Sequence, residues 1–149
     1  MNLKNIFNAE YRAVISFRIY SFTYRDISKA LGYIMYHRSK IKYGCDIAPT
    51  AQIGADFKIA HIGGIVIGRN AVIGDECTIN NNVTLGMKNA TSDAMPTLGN
   101  GVYVSTGAKL LGGISIGNNC IIGANSVVLS SFEDNSVIVG IPSKVVKSK

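Results

Sequence analysis

The chain has 149 residues, 47% of them hydrophobic and 16% charged, and its formal net charge is +6 at pH 7. No stretch reaches the roughly 18 consecutive apolar residues of a membrane span, and the N-terminus lacks the continuous apolar run of a secretory signal. We therefore expect a cytoplasmic protein that is long enough to bury a sizeable core.

The positive charge is concentrated in residues 1–43. Such a segment could lie on an anionic membrane surface or contact an acidic glycan. The alternative is two short amphipathic helices that cap one end of the fold and keep their basic groups in water. We expect no nucleic-acid partner. The only acidic residues of the segment are Glu10 and Asp26, and its basic residues are Lys4, Arg12, Arg18, Arg25, Lys29, Arg38, Lys40 and Lys42.

The same segment has helical periodicity. Apolar residues at helical spacing predict helices over 9–22 and 26–43. Asp26 is a candidate N-cap for the second helix, and Gly44 is a candidate stop signal at its end.

Residues 44–149 form a second unit, in which an aliphatic residue recurs every six residues. A helix needs apolar residues at a spacing of about 3.6 and a flat strand at about 2, so this period fits neither. It predicts short straight segments joined by tight corners, three to a triangular coil, in an all-β solenoid whose coils bury their aliphatic rows against each other. The aliphatic positions are Ile47, Ile53, Ile59, Ile67, Ile73, Ile79, Leu85, Leu98, Val104, Leu110, Ile116, Ile122 and Val128.

Two interruptions break this period. In a solenoid, interruptions map to loops, and loops tend to carry function. The first interruption, 60–64, contains His61 beside two glycines, which allow close approach of backbone or substrate. The second, 87–97, is polar and must protrude from the coil.

His61 is the candidate general base, whereas His37 lies in the basic helix, where a solvated surface role fits better. If three hexads make one coil, the coil that opens at Ile47 lies beneath the one that opens at Ile67, so Asp46 is stacked under the residues just after His61. A carboxylate there can accept a hydrogen bond from one ring nitrogen and leave the other nitrogen as a base. The alternative is that Asp46 only caps a turn.

The cysteines do not suggest a redox or metal site. Cys77 and Cys120 occupy a small, inward place of the hexad, where a thiol behaves as a small hydrophobe, and Cys45 precedes the repeats. We expect no disulfide. We also expect no metal, because a zinc site needs several converging ligands and the repeat region has a single histidine.

An ordered set of segments runs through the repeat region, namely Asp46–Gly54, His61 with Gly64–Gly68, Asn82–Gly86, Gly123–Val128 and Val139–Val146. This set resembles the hexapeptide-repeat acyltransferases, specifically the serine acetyltransferase-like branch that includes many O-acetyltransferases of bacterial surface polysaccharides. The resemblance covers about residues 44–148.

The resemblance implies a left-handed parallel β-helix and a homotrimer that binds acetyl-CoA, as co-substrate, in a groove between neighbouring subunits. It also implies that His61 is the general base and that Asp46 orients it. Two C-terminal lysines are candidates for contacts with the cofactor phosphates, and a solvated tail is the alternative. The residues implied in cofactor binding are Gly86, Ser105, Thr106, Gly107, Ala124, Lys144 and Lys147.

The acceptor prediction rests on departures from the serine enzymes. Those enzymes carry an aspartate immediately before the histidine and an Arg-His-Pro in the long loop, where this chain has Ala60 and Ala94-Met95-Pro96. Without the arginine, a free carboxylate loses its natural bidentate partner. We therefore expect an O-acetyltransferase that acts on a sugar hydroxyl of a surface polysaccharide or its precursor, a carbohydrate acceptor contacted by Asn81 and Asn82.

Three alternatives remain open from the sequence. The first is serine O-acetyltransferase activity, and the second is N-acetylation of an amino sugar. The third is a scaffolding solenoid without catalysis, which explains the hexads but not the histidine-bearing interruption.

Overall fold

The computed structural model describes residues 8–148, and in this range two α-helices precede a parallel β-solenoid. The helices are α1 (Ala9–Phe22) and α2 (Lys29–Tyr43), and a π-helical turn, Thr23–Ile27, joins them. Within the described residues, no helix combines the length and the hydropathy needed to cross a bilayer.

The helix ends follow from local capping. Asn8 Oδ1 accepts a hydrogen bond from the Tyr11 backbone N–H at 2.9 Å, which caps α1. The prediction of Asp26 as the cap of α2 is wrong, because the chain stays helical through the π-helical turn and Ser28, with φ −158°, takes the capping position. Gly44 ends α2 as predicted, since its left-handed conformation, φ 63°, favours glycine.

Three sheets form the faces of the solenoid. Sheet A contains β1 (Cys45–Ile47), β4 (Ile65–Ile67), β7 (Thr84–Gly86), β10 (Lys109–Leu111) and β13 (Val127–Val128). Sheet B contains β2 (Gln52–Ile53), β5 (Val72–Ile73), β8 (Thr97–Leu98) and β11 (Ser115–Ile116). Sheet C contains β3 (Lys58–Ile59), β6 (Thr78–Ile79), β9 (Tyr103–Val104), β12 (Ile121–Ile122), β14 (Ser136–Gly140) and β15 (Ser143–Ser148).

Coils stack in register, with each strand parallel to the strand one coil away. Ile47 pairs with Ile67, and Ile67 with Leu85, so the aliphatic residue of each hexad lies above its counterpart. These side chains are buried, as are the small residues at the fifth hexad place, such as Ala108 and Cys120. Sheet A has five strands, so the solenoid has about five turns. The parallel coils and the six-residue repeat fit a left-handed β-helix, and the predicted fold is confirmed.

The C-terminal residues differ from the predicted tail. Beyond the Gly140–Pro142 turn, β15 runs back antiparallel to β14, with Lys144 opposite Val139. Proline ends the parallel ladder, but the backbone of the following residues still satisfies its hydrogen bonds by pairing with β14.

The two helices pack on the first coil. Tyr20 Oη donates a hydrogen bond to the Ile47 carbonyl at 2.6 Å, and Ser21 Oγ donates to the Pro49 carbonyl at 2.8 Å. The Arg18 guanidinium donates to the carbonyl oxygens of Ile53 and Gly54. The helices therefore cap the N-terminal end of the solenoid, in agreement with the alternative prediction for this segment.

Candidate active site

His61 lies in the loop that joins β3 to β4, at the corner between sheets C and A. Its side chain is exposed and makes no hydrogen bond with any residue of the described range 8–148. Gly63 and Gly64 follow with φ of 103° and 65°, and a Cβ on Gly64 would collide with Asn82 Oδ1. The glycines thus let the loop turn tightly against the next coil. The imidazole that precedes them stays open to solvent and to a substrate.

Asp46 lies on β1 and pairs in register with Val66, so the predicted stacking beneath the residues after His61 is present. Its carboxylate is bound by two side chains of α2, because Tyr36 Oη donates one hydrogen bond and Lys40 Nζ donates another at 2.5 Å. The structure therefore places Asp46 beneath β4, the strand that follows the His61 loop, but the observed partners of the carboxylate come from the helix.

The electrostatics of Asp46 favour the ionised form. Burial alone raises the pKa of its carboxyl, but hydrogen bonds from Lys40 and Tyr36 and the charges of Lys40 and His37 outweigh burial and hold the pKa below its usual range. Burial, together with the hydrogen bond to the carboxylate, raises the pKa of Tyr36. At neutral pH the Asp46 carboxylate is thus a negative charge on the first strand of sheet A.

Tyr36 and Lys40 are the residues that sequence reasoning missed. They precede Asp46 by one to three helical turns and carry no motif. Their contact with Asp46 depends on how α2 is oriented after the Gly44 stop, and helical periodicity does not specify that orientation. The exposed basic residues of α2 give no signal that distinguishes Lys40 from its neighbours.

An outward column of side chains runs along sheet A, on the side of the His61 loop. The register aligns one residue from each of its five strands. Lys109 in this column donates a hydrogen bond from Nζ to the Asn82 carbonyl at 2.5 Å. It brings a second positive charge to the face that also holds Asp46. The column consists of Asp46, Val66, Thr84, Lys109 and Val127.

Most of the predicted cofactor contacts occupy the same corner as His61, in the following coils. The Gly107 N–H donates to the Asn81 carbonyl at 3.0 Å, and the Asn125 N–H donates to the Thr106 carbonyl at 2.9 Å. Ser105 begins this corner in its coil and Ala124 lies in the coil beyond. Four predicted residues, at 105–107 and 124, are therefore brought together.

The remaining predicted cofactor contacts lie elsewhere. Gly86 is the last residue of β7 and lies at the corner between sheets A and B. Its carbonyl accepts a hydrogen bond from the Gly112 N–H at 2.8 Å. Lys144 is exposed on β15 at the C-terminal end. The backbone of Lys147 pairs with Val137, and its side chain lies outside the described part of the molecule. Within one chain, these residues do not meet the His61 corner.

The predicted acceptor contacts are engaged in the corner itself. Asn81 Oδ1 accepts a hydrogen bond from Thr106 Oγ1 at 2.8 Å. The Asn82 N–H donates to the Gly63 carbonyl at 2.9 Å, and Asn82 has a left-handed φ of 57°, which asparagine tolerates. These contacts show a structural use of both residues that accounts for their presence at a solenoid corner.

The long loop, 87–97, joins β7 to β8 at the corner between sheets A and B. Met95 is partly buried and packs against Gly68, where an added Cβ would lie 2.8 Å from Met95 Cε. A Cβ on Gly113 would lie 3.0 Å from Ala94 Cβ. His61 and the loop therefore flank sheet A from opposite sides of the same chain.

Comparison with known proteins assigns the class of the chain. A family model described as bacterial transferase hexapeptide (six repeats) matches residues 95–130. The serine acetyltransferase of Synechococcus elongatus is 39% identical over 137 residues, which cover 91% of this chain and 56% of that protein. That of Mycobacterium tuberculosis is 43% identical over 109 residues, which cover 72% of this chain and 48% of that protein.

Solved structures give the same result. The crystal structure of serine acetyltransferase from Brucella abortus has a TM-score of 0.91 at 31% identity and covers 96% of this chain and 59% of that chain. A serine acetyltransferase in complex with CoA has a TM-score of 0.86 at 34% identity, over 91% of this chain and 56% of that chain. The chain thus spans about half the length of the relatives that it matches.

The parallel solenoid, its six-residue repeat and the family match define a hexapeptide-repeat transferase. Within that class, the chain is similar in sequence and structure to serine acetyltransferases, over 91% and 96% of its own length respectively.

The prediction of a surface-polysaccharide acceptor is wrong. The similar proteins and structures are named serine acetyltransferases, which was the first alternative from the sequence. The error came from treating the alanines at positions 60 and 94 as decisive for the acceptor. Local departures of this kind carry less weight than a likeness that extends over 91% of the chain.

Proposed function

We propose that the protein is an acetyl-CoA-dependent serine O-acetyltransferase with His61 as its general base. The observation that carries the proposal is the exposed imidazole, uncommitted to any described residue, at the interruption of a solenoid whose relatives are named serine acetyltransferases. The complex of one such relative with CoA supports acetyl-CoA as the donor.

In the proposed reaction, one His61 nitrogen accepts the proton of the serine hydroxyl while that oxygen attacks the thioester carbonyl. Backbone N–H groups stabilise the resulting oxyanion. The tetrahedral intermediate then collapses, the C–S bond breaks, and the departing sulfur takes the proton from the imidazolium to give CoA and O-acetylserine. A positioned base contributes about 10² to 10⁴ in rate, and oxyanion stabilisation adds a further large factor.

Asp46 orients the imidazole in this proposal. Tyr36 Oη and Lys40 Nζ each donate one hydrogen bond to the Asp46 carboxylate. An ionised carboxylate offers about four acceptor positions, so it can accept an imidazole N–H without releasing either partner. The ring nitrogen facing Asp46 then carries the proton, and the other nitrogen is free to act as the base.

The substrate carboxylate needs a positive partner, because Ala94 replaces the arginine that the serine enzymes carry. We assign this contact to Lys109, which lies in the same outward column as Asp46. A lysine ammonium binds a carboxylate as a point charge without the bidentate geometry of arginine. The proposal therefore includes weaker binding of serine than an arginine would give.

A homotrimer completes the site in this proposal. Within one chain, residues 105–107 lie at the corner where the strands of sheet A begin, and Gly86 lies at the corner where they end. A groove between two subunits can combine residues 105–107 of one subunit with Gly86 of its neighbour. This supports the assignment of acetyl-CoA to an intersubunit groove.

The proposal is tested with His61→Ala and with Glu133→Ala as the control, since the Glu133 side chain is also exposed but lies just before β14, away from Asp46 and its partners. Release of the CoA thiol from acetyl-CoA with L-serine is measured with a thiol reagent. We expect kcat to fall about 10² to 10⁴ for the His61 variant and to stay unchanged for the control.

The melting temperature and molecular mass of both variants should match those of the parent chain, because neither side chain is buried. Retention of most activity by His61→Ala contradicts the role of His61. If the parent chain binds acetyl-CoA but releases no thiol in response to serine, serine is not the acceptor.

A further inference from the structure

Helix α2 and the preceding turn carry an apolar stripe that points away from the solenoid. Its members recur at helical spacing, and most expose more than half of the side chain. The buried residues of α2, Gly32 and Ser39, lie on the opposite side of the helix. The stripe consists of Ile27 at 65%, Leu31 at 48%, Ile34 at 55% and Ile41 at 85% exposure.

Helix α1 repeats the same arrangement. Phe17 and Tyr20 are buried in the core on one side of the helix. Ile15, Ile19 and Phe22 recur at helical spacing on the other side, and all three are exposed. We call the seven exposed residues of both helices the basal face: Ile15, Ile19, Phe22, Ile27, Leu31, Ile34 and Ile41.

The orientation of the basal face follows from the contacts of the opposite sides. Helix α1 packs on β3 and α2 packs on β1, both in the first coil. The two helices also pack on each other, and buried Gly32 lies against Tyr24 of the turn between them. The buried sides of the helices therefore face the first coil and the neighbouring helix, and the basal face points away from both. A helix on the end of a solenoid normally turns a polar surface outward, so an outward apolar surface indicates a binding site.

Positive charge accompanies the basal face. Arg12 lies on the α1 stripe by helical spacing, and Arg38 and Lys42 lie within or beside the α2 stripe; all three are exposed. The acidic residues in 8–43 are Glu10 and Asp26. A second copy of this chain would bring two positively charged surfaces together, so like-charge repulsion disfavours that occupant.

We propose that the basal face binds an anionic lipid bilayer, with both helices lying in the plane of the interface. Aliphatic and aromatic side chains on one side, with lysine and arginine around them, are the features of helices that insert among lipid headgroups. The basic side chains then lie at the depth of the acidic headgroups, where each contributes favourably to binding. This inference is independent of the proposed serine acetyltransferase activity.

Vesicle flotation of the full chain tests the proposal. The probes are vesicles of phosphatidylcholine alone and vesicles that also contain about one-third phosphatidylglycerol. We expect binding to the anionic vesicles and a decrease of that binding with rising salt concentration, because salt screens the headgroup charge. Equal binding to both vesicles, or no binding to either, overturns the proposal.

Two pairs of variants locate the contact. Ile34→Asn with Ile41→Asn should lower the partition coefficient at least about tenfold, whereas Val145→Asn with Val146→Asn, an exposed aliphatic pair on β15, should leave it unchanged. Arg38→Gln with Lys42→Gln should lower the partition coefficient about twenty-five-fold, since each basic residue contributes roughly fivefold near an anionic surface.

The matched control for charge is Lys58→Gln with Arg69→Gln, an exposed pair on the solenoid. Circular dichroism confirms that each variant is folded, and the salt dependence of the parent chain gives a readout that requires no variant. Unchanged binding of either basal-face variant overturns the proposal. Self-association of the parent chain that Ile34→Asn with Ile41→Asn abolishes, without vesicle binding, also overturns it and assigns the face to a second copy.

Discussion

At the scale of single residues, the setting of Asp46 makes the stability of the protein depend on pH. Its pKa in the folded chain lies below the ordinary value of 3.8, because the hydrogen bonds of Lys40 and Tyr36 outweigh burial. The folded state therefore binds this proton less tightly than the unfolded state does. The contribution to stability is present above a pH of about 4 and is lost as pH falls through the lowered pKa.

Lys40→Met removes the charged partner of this carboxylate and keeps most of the apolar length of the side chain. We expect the free energy of unfolding to fall by about 1 kcal/mol or less at pH 7, because the ion pair is partly exposed, and the difference to vanish at a pH below the pKa of Asp46. Urea denaturation at a series of pH values measures both quantities.

Lys58→Met is the control for this substitution, since Lys58 is exposed and makes no ion pair with any residue of the described range. It should leave the pH dependence of stability unchanged. An equal loss of stability from Lys40→Met at every pH would show that lost packing, rather than the charge of Asp46, causes the effect.

The cysteines illustrate a residue-scale prediction that the structure bears out. Cys77 and Cys120 are buried, and burial raises the pKa of both thiols. Each Sγ also donates a weak hydrogen bond to a backbone carbonyl, Gly99 and Glu133 respectively, at 3.1 Å. A neutral, buried thiol is a poor nucleophile, which agrees with direct acetyl transfer without a cysteine intermediate.

At the scale of elements, the close stacking of coils depends on glycine at the corners. A Cβ on Gly74 would lie 2.6 Å from the Gly99 carbonyl oxygen of the next coil, and backbone atoms cannot move aside as a flexible side chain can. A Cβ on Gly86 would meet Thr84 Cγ2 at 3.5 Å and Leu111 Cδ2 at 3.8 Å, which are ordinary contacts. The two glycines thus serve different needs.

Gly74→Ala should destabilise the solenoid by about 1 to 3 kcal/mol, the usual cost of overpacking. Gly86→Ala should change stability by less than about 0.5 kcal/mol but weaken CoA binding, because Gly86 is one of the proposed cofactor contacts. Thermal denaturation and calorimetry with CoA measure the two effects. A stable Gly74→Ala chain would contradict the packing argument, and unchanged CoA affinity of Gly86→Ala would remove Gly86 from the cofactor site.

At the scale of the whole molecule, the proposed site requires more than one chain, because the proposed cofactor contacts lie at both ends of the strands of sheet A. We expect light scattering of the purified chain to give three times the 15.9 kDa monomer mass. Dilution should reduce thiol release per chain once the trimer dissociates. A fully active monomer would contradict the intersubunit groove and would require all cofactor contacts to come from a single chain.

The sequence by itself determined the solenoid, its register and the position of His61. The six-residue period dictates both which side chains point inward and which residues stack, and an interruption of that period marks a loop whatever the rest of the molecule does. The order of the repeats also predicts that Asp46 lies beneath the residues that follow His61, and its observed partner there is Val66.

Only the tertiary structure decided which groups surround Asp46 and what the N-terminal helices expose. Helical periodicity specifies the faces of α2 but not its direction after Gly44, so the contact of Tyr36 and Lys40 with the carboxylate depended on packing. The sequence also does not predict the outward apolar stripes. Both helices have apolar residues on two sides, and helical periodicity does not indicate which side the core will cover.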